Sequence, residues 1–150
     1  MTYQCKVIEF GTVQYDETVS LRIEILRKPL NLVFTDEQLA MEIDQIHFAC
    51  YELNENGVED LIACLILVPE KGANDIQMRQ VAVDLNKQHQ GIGKKIVKFA
   101  ENWALKAGYS KVFCHARDTA IPFYLKLGYQ IIGDGFVEVG IPHVHMEKLL

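Results

Sequence analysis

A short polar run with two glycines is the first feature of the chain whose spacing points to chemistry. Residues 88–93, Gln-His-Gln-Gly-Ile-Gly, separate an apolar run ending at Val83 from a segment with helical periodicity. Glycine has no Cβ atom, so Gly91 and Gly93 permit strained backbone conformations and let an oxygen atom approach the amides closely. A helix that begins here leaves several N–H groups without intrahelical partners. The run therefore predicts a phosphate-binding loop.

Two lysines follow these glycines. Lys94 and Lys95 place positive charge in the first helical turn, where the helix dipole favours anions, and the first acidic residue, Glu101, comes two turns later. A bound polyanion would reverse that cost, and an ordinary solvated lysine face is the alternative. The run is not a Walker loop, because no Gly-Lys-Ser/Thr follows, and it lacks the third glycine of a dinucleotide fingerprint.

A second segment of interest surrounds Tyr124. Taken alone, a tyrosine flanked by Phe123 and Leu125 is typical of a buried packing residue. Tyr124 also lies four residues from both Ala120 and Gly128, and this spacing gains meaning only as part of the resemblance described next.

The two segments together resemble the GNAT superfamily of acyl-CoA-dependent N-acyltransferases. The matching stretch covers about residues 78–129: a strand ending at Val83, the 88–93 loop, a helix, and the pattern Ala-x-x-Phe-Tyr-x-x-x-Gly-Tyr over 120–129. Residues 136–146 further resemble a bacterial subgroup of small GNAT proteins. The sequence departs from the family pattern at Arg117, where the family often has asparagine seven residues before the tyrosine.

The resemblance implies an N-acetyltransferase that takes acetyl-CoA as cosubstrate and lets a primary amine of a small molecule or peptide attack the thioester directly. The amides of the 88–93 loop would hold the CoA pyrophosphate, and the strand edge at 81–83 would pair with pantetheine. Tyr124 would act as general acid on the leaving thiolate. The implied cofactor-binding residues are Val81, Ala82, Val83, Gln88, His89, Gln90, Gly91, Ile92, Gly93, Lys94, Arg117 and Ala120.

Catalysis also requires a group that accepts the proton lost by the amine. Glu138 and His143 are the candidates, because a carboxylate or an imidazole can take a proton directly or through water. For each of them, an exposed or structural side chain is the alternative.

The sequence leaves two larger questions open. The acceptor could be acidic and meet arginines, or it could be a polyamine and meet carboxylates; the side chains concerned are Arg22, Arg27, Arg79 and Arg117, and Glu42, Asp134 and Glu138. The alternative function is a non-catalytic acyl-CoA-binding regulatory module, and a ligand-free partner-binding domain is the third hypothesis. A homodimer is compatible with the resemblance, although no unpaired apolar stripe requires one.

Bulk properties limit the class of protein. A chain of 150 residues with 49% hydrophobic content predicts one domain, 1–150, with its own core. The net charge of −5 argues against binding to nucleic acid, and the longest apolar run, 61–68, is too short to cross a membrane.

The absence of a signal-peptide pattern and four scattered cysteines predict a cytoplasmic protein with reduced thiols. His143 and His145 lack further ligands, so no metal is expected.

The pattern of elements predicts an α/β (α+β, GNAT-like) domain with a mixed sheet of six to seven strands and helices on both faces. Asn-Gly at 56–57 marks a hairpin, and the turn at 71–74 leads into a third antiparallel strand that delivers the glycine loop. The helix after the loop should bury Ile92, Ile96, Phe99, Ala100, Trp103 and Ala107 and expose the lysines and Glu101. The expected strands are 6–10, 46–53, 58–68, 75–83, 111–115, 129–133 and 144–149; the other helices are 16–27 and 119–127.

Overall fold

The computed structural model describes residues 2–72 and 74–150. Its sixteen segments of regular structure include seven strands and four α-helices. The strands are β1 (Thr2–Ile8), β2 (Ile46–Leu53), β3 (Glu59–Pro69), β4 (Asp75–Val83), β5 (Lys111–Arg117), β6 (Gln130–Glu138) and β7 (Ile141–Leu149). The α-helices are α1 (Val13–Arg22), α2 (Asp36–Ala40), α3 (Ile92–Lys106) and α4 (Ile121–Lys126). A π-helical extension, Ile23–Arg27, continues α1, and short 3₁₀ segments are Lys28–Leu30, Met41–Asp44, Leu85–Lys87 and Asp118–Ala120.

All seven strands form one mixed sheet in the order β1-β2-β3-β4-β5-β7-β6. The first four strands are an antiparallel meander, and the hairpin between β2 and β3 turns at the predicted Asn-Gly pair, where the Gly57 N–H donates to Asn54 O. β4 and β5 are parallel, and α3 makes the crossover between them. The predicted fold class, a mixed sheet of six to seven strands with helices on both faces, is therefore confirmed.

Two irregularities open the centre of the sheet. β4 pairs with β5 only from Asp75 to Gln77, after which the two strands separate. On its other side, β4 has one more residue than β3 between Arg79 and Ala82, and Gln80 in this bulge has a left-handed φ of 57°. The rest of the β4 edge that faces β5 has no strand partner within residues 2–72 and 74–150. A cleft therefore lies between the carboxyl ends of two parallel strands.

The main core lies between the sheet and α3. Phe48, Leu65 and Ile76 from the sheet are buried with Ile96 and Val97 from α3. On the opposite face, α1 packs over β3, and the Cys64 thiol donates to Thr18 O at 3.8 Å. The sheet thus has helices on both faces, which fixes the position of the cleft between them.

The residues of α3 that are buried differ in part from those predicted. Val97 and Ala104 are buried although they were not predicted, whereas Ala107 is exposed. Glu101, expected on the solvated face, is buried because the Tyr129 hydroxyl donates to it at 2.7 Å and the Lys148 ammonium at 2.9 Å. These two partners come from the end of the chain, so helical periodicity alone did not indicate them.

Several element boundaries also differ. β1 starts at Thr2 because seven residues pair with β2, and β7 starts at Ile141 because that residue pairs with Glu138 of β6. β6 continues through its glycines to Glu138 because a bulge between Ile132 and Phe136 accommodates them. The predicted 71–74 turn includes Ala73, which lies outside the described residues. The longer β6 and β7 matter for function, since they place Glu138 and His143 beside β5.

Candidate active site

The glycine loop ends at the start of α3. Gly91 is the N-cap residue, with a left-handed φ of 82° that favours glycine, and its carbonyl accepts from the Lys95 N–H at 3.1 Å. The amides of Ile92, Gly93 and Lys94 precede that first helical bond, so they have no intrahelical acceptor. No side chain caps α3, and no acidic residue lies in its first turn. An anion is therefore the partner that this helix end lacks.

Side-chain hydrogen bonds hold the loop in shape. The Gln88 amide donates to Val83 O at 3.1 Å, and the Gln90 amide donates to Asn86 O at 3.2 Å. The first bond ties the loop to the end of β4, so the loop amides and the free β4 edge are fixed relative to each other. His89 has a left-handed φ of 63°, which the tight turn requires.

Gly93 has a different role from Gly91. It lies inside the first turn of α3, and a Cβ atom on it would meet two ring atoms of Phe123 at 3.1 Å. Glycine is therefore required here for the close approach of α3 to α4, the helix that carries Tyr124. Gly91 has the left-handed backbone that favours glycine, whereas Gly93 allows close packing against Phe123, and contact of either residue with a phosphate stays a prediction.

The two lysines after the glycines also differ from each other. The Lys95 ammonium donates to Tyr3 O at 3.3 Å and lies 5.3 Å from the centre of the Tyr3 ring, so it is directed to β1. Lys94 is exposed and makes no side-chain hydrogen bond or salt bridge within the part of the chain that the structure describes. Of the two cations, Lys94 is the one available to an anion at the loop.

The cleft between β4 and β5 has a volume of about 560 Å³. Its walls bring together segments that are far apart in sequence, including the β4 bulge, the end of β5, α4 and the turn between β6 and β7. The lining includes the side chains or backbone of Arg27, Arg79, Gln80, Val81, Cys114, His115, Arg117, Ala120, Tyr124, Glu138 and His143. The candidate acid, both candidate bases and part of the predicted cofactor set thus share one cavity.

Tyr124 and Tyr129, the two tyrosines of the second motif, have different environments. The Tyr129 hydroxyl is buried and donates to the Glu101 carboxylate at 2.7 Å, which makes it structural. Tyr124 is 8% exposed and lines the cleft, and no hydrogen bond within residues 2–72 and 74–150 involves its hydroxyl. Burial raises the pKa of Tyr124 above its ordinary value, so the phenol stays protonated at neutral pH. The proton of Tyr124 is therefore available to a ligand in the cleft.

Glu138 and His143 lie close together in the lining of the cleft. Glu138 Oε2 is 3.7 Å from His143 Nε2, and Glu138 Oε1 is 3.3 Å from His115 Nδ1. His143 is buried, and its Nδ1 is 2.7 Å from the carbonyl of Ile141. Because a carbonyl only accepts, Nδ1 carries a proton and Nε2 is left to exchange one. The two predicted bases thus form one unit, to which His115, not predicted from the sequence, contributes.

The predicted cofactor residues fall into two groups. Residues 88–94 surround the start of α3, while Val81, Arg117 and Ala120 line the cleft. Ala82 and Val83 pair with β3 on one side and leave their other side toward the gap beside β5. The Arg117 guanidinium donates to Leu26 O at 3.3 Å, toward the helix that extends α1. A contact between Arg117 and the cofactor stays a prediction.

Sequence reasoning missed the bulge at Gln80 and the contribution of the π-helical segment to the cleft. Neither has a recognisable local pattern, because the bulge depends on the β3 register and the segment reaches the cleft only through tertiary packing. Of the two acids offered as polyamine ligands beside Glu138, Glu42 is paired with Arg22 in the interior, and Asp134 is exposed on β6 outside the cleft lining.

Other classes of site receive no support from the described residues. No group of three His, Cys, Asp or Glu side chains there could hold a metal ion. None of the helices in this part of the chain is long and apolar enough to cross a membrane. Cys5, Cys50, Cys64 and Cys114 are free thiols in this structure, and burial raises the pKa of the Cys64 and Cys114 thiols to about 12.

Comparison with known proteins gives consistent matches. Residues 27–150 match the family model described as "Acetyltransferase (GNAT) domain". The UPF0039 protein C11D3.02c of Schizosaccharomyces pombe is 33% identical over 121 residues, which cover 76% of this chain and 79% of that protein.

Solved structures share the fold over nearly the whole chain. An acyl-CoA N-acyltransferase from Pseudomonas aeruginosa superposes with a TM-score of 0.79 at 17% identity, covering 98% of this chain and 99% of that one. A GNAT family acetyltransferase from Elizabethkingia anophelis, solved with acetyl-CoA bound, has a TM-score of 0.71 at 18% identity, covering 99% of this chain and 98% of that one.

Proposed function

This chain belongs to the GNAT family of acetyltransferases, and we propose that it transfers the acetyl group of acetyl-CoA to a primary amine of a small molecule or peptide. One observation carries the proposal: a free strand edge connects an uncapped helix N-terminus to a buried tyrosine whose hydroxyl has no hydrogen-bond partner among the described residues. Together these features provide an anion site, a binding edge and a proton donor for one extended ligand.

The residues present fit the acetyl-CoA that the family implies. The free amides at the start of α3 and the Lys94 ammonium would hold the pyrophosphate, since they have no other hydrogen-bond partner in the described part of the chain. The β4 edge would pair with the amides of pantetheine as an added strand does, because its pairing with β5 ends at Gln77 among the residues that the structure describes. When bound, acetyl-CoA supplies an acetyl group activated as a thioester. Gln80, in the bulge, lines the same cleft as Tyr124.

Tyr124 supplies the proton that the departing sulfur needs. Tyr124 lines the cleft, and burial raises its pKa, so the phenol still holds its proton at neutral pH and can donate a hydrogen bond to negative charge that develops on the departing sulfur. Phe123 packs closely against Gly93, since a Cβ atom there would lie 3.1 Å from two ring atoms and the ring would have to shift. The acid is therefore held on the same rigid unit as the anion site.

Glu138 and His143 would take up the proton of the amine. Nε2 of His143 is free to accept it because Nδ1 is committed to Ile141 O, and the nearby Glu138 carboxylate would stabilise the imidazolium that results. Glu138 is half-exposed, so the Glu138–His143 unit is in contact with solvent. Tyr124 and the Glu138–His143 unit line the same cavity, which allows acid and base to act on one acceptor.

The proposed transfer is tested by incubating the protein with acetyl-CoA and a panel of primary amines while measuring release of free CoA thiol. We expect CoA release that depends on both the protein and the amine, with an acetylated amine detected by mass spectrometry. The panel should contain amino acids, peptides, polyamines and neutral alkylamines. CoA binding without any amine-dependent release would instead favour the alternative function, a non-catalytic acyl-CoA-binding module.

A further inference from the structure

Three of the four arginines of the chain line the active-site cleft. Arg22 is buried and neutralised, because its guanidinium makes two hydrogen bonds to the Glu42 carboxylate at 2.7 and 2.6 Å. The other three, Arg27, Arg79 and Arg117, line the cleft itself. The chain has 15 basic and 20 acidic residues, so its net charge is negative, whereas the cleft is lined by three positively charged arginines.

These three arginines lack acidic partners. No carboxylate within residues 2–72 and 74–150 lies within 4 Å of the guanidinium of Arg27, Arg79 or Arg117. Burial, followed by the charges of Arg22, Arg79 and Arg117, lowers the pKa of Arg27. The positive charges therefore act on one another, and a bound anion would relieve both the repulsion and the lack of hydrogen-bond partners.

Two of the three guanidiniums are held in place by neighbours that leave their charge unpaired. Arg27 lies over the Phe34 ring, with its central carbon 4.3 Å from the ring centre. Arg117 donates to Leu26 O, which keeps it on the same side of the sheet as Arg27. Arg79 is exposed and comes directly before the bulge at Gln80. The arginines thus approach the cleft from α1's extension, β5 and β4.

The three arginines of the cleft are separate from the glycine loop that is proposed to bind the cofactor. The cleft that contains the three arginines is lined by none of residues 84–95, which include the glycine loop and the start of α3. Its only acidic lining residue in the described chain is Glu138, which is engaged with His115 and His143. Acidic side chains collect instead in another groove, lined by Glu17, Glu24, Glu52, Asp60 and Asp84.

We infer that the acceptor amine carries an anionic group, a carboxylate or a phosphate-type group, that Arg27 and Arg79 bind while the Glu138–His143 unit meets the amine. This inference rests on the proposed function and specifies its substrate class. Guanidinium groups bind both kinds of oxyanion through paired N–H donors. The arginines would therefore select acceptors that carry an anionic group, and binding of that group would leave the amine free to meet the Glu138–His143 unit. Arg117 adds positive charge to the same cleft.

The test compares matched acceptors that differ only in the anionic group. One set pairs amino acids with their amides, and the other pairs aminoalkylphosphonates with their neutral diesters, so that carboxylate and phosphate-type recognition are separated. We measure kcat/KM for each acceptor and KM for acetyl-CoA, using wild type, Arg79→Gln and Arg79→Lys. Lys106→Gln is the matched control, because it removes one positive charge from the exposed end of α3, away from the cleft.

We expect wild type to prefer the anionic member of at least one pair by about tenfold or more, and Arg79→Gln to remove most of that preference with KM for acetyl-CoA unchanged. Arg79→Lys should restore part of it, and Lys106→Gln should leave it intact. Equal turnover of charged and neutral acceptors would overturn the inference while the proposed function stands. A rise in KM for acetyl-CoA in Arg79→Gln would also overturn it, by assigning the arginine to the cofactor. Failure to acetylate any amine while acetyl-CoA binds would contradict the proposed function, and this inference with it.

Discussion

Replacing Tyr124 with phenylalanine should lower kcat by about 10²–10⁴-fold, the usual contribution of a general acid, with little change in acetyl-CoA affinity. The substitution removes only a hydroxyl that has no partner in the described part of the chain, so the packing of α4 against α3 is retained. Turnover is measured by CoA release with the best acceptor of the amine panel, and affinity by calorimetry with CoA. A large loss of kcat with unchanged affinity assigns Tyr124 to the chemical step.

Tyr109→Phe is the control for this experiment. Tyr109 stacks on Trp103 at the end of α3 and does not line the cleft, so removing its hydroxyl should leave kcat unchanged. Equal losses of turnover and CoA affinity in Tyr124→Phe would remove the general-acid assignment and indicate a binding role. A Tyr124→Phe variant as active as Tyr109→Phe would show that the sulfur leaves without help from this residue.

Replacing Glu42 with glutamine should lower the free energy of unfolding by about 3–5 kcal/mol, because it leaves a buried guanidinium without its counter-charge. Arg22 is 1% exposed and Glu42 7%, and the Tyr15 hydroxyl donates to the same carboxylate at 2.8 Å. His47 adds a contact, since its Nε2 is 2.9 Å from Glu42 O. Urea unfolding at neutral pH measures the loss. Glu70→Gln, at an exposed acid that has no salt bridge in the described chain, should change stability by less than about 0.5 kcal/mol.

The pH dependence of stability gives a second measure of the same pair. Burial raises the pKa of Glu42, but the hydrogen bonds and charge of Arg22 lower it more, so the net shift is downward. A carboxyl with a depressed folded-state pKa contributes stability that is present above its unfolded pKa and is lost as the pH falls through the folded value. Wild type should therefore lose this contribution only under acidic conditions, and the acid limb of Glu42→Gln should be shallower. Identical stability and pH profiles for the variant and wild type would contradict the role of the pair.

Features set by neighbouring residues were predictable from the sequence. The hairpin at 54–57 follows from an Asn-Gly pair, and the helix after the glycine loop follows from apolar spacing and a terminal glycine. The close match of Tyr124 to a motif identified the phenol that the structure places in the cleft. These are short-range signals, which one sequence contains in full.

Features that depend on distant partners were not predictable in the same way. Helical periodicity predicted that Glu101 is exposed to solvent. It is buried instead, because it binds Tyr129, just before β6, and Lys148 of β7, which are both distant in sequence. The sequence suggested Arg22 as a residue at the rim of the acceptor site, but its guanidinium is buried against the Glu42 carboxylate. The local sequence around Arg22 does not reveal this partner, which lies twenty residues further along the chain. The separation of β4 from β5 depends on a bulge and on the register with β3, so the cleft, and the common placement of three of the four named arginines in its walls, appeared only in the folded chain.

Thermal unfolding with and without acetyl-CoA tests the central claim most directly, namely that the 88–93 loop and the free β4 edge form a CoA site. For a Kd on the order of 10 μM, about 1 mM acetyl-CoA should stabilise the fold by about 2.7 kcal/mol and raise the midpoint by several degrees. We predict a similar rise with free CoA and little change with ATP at the same concentration. No shift with either CoA species would contradict the claim, because the loop would then be structural or would serve another anion.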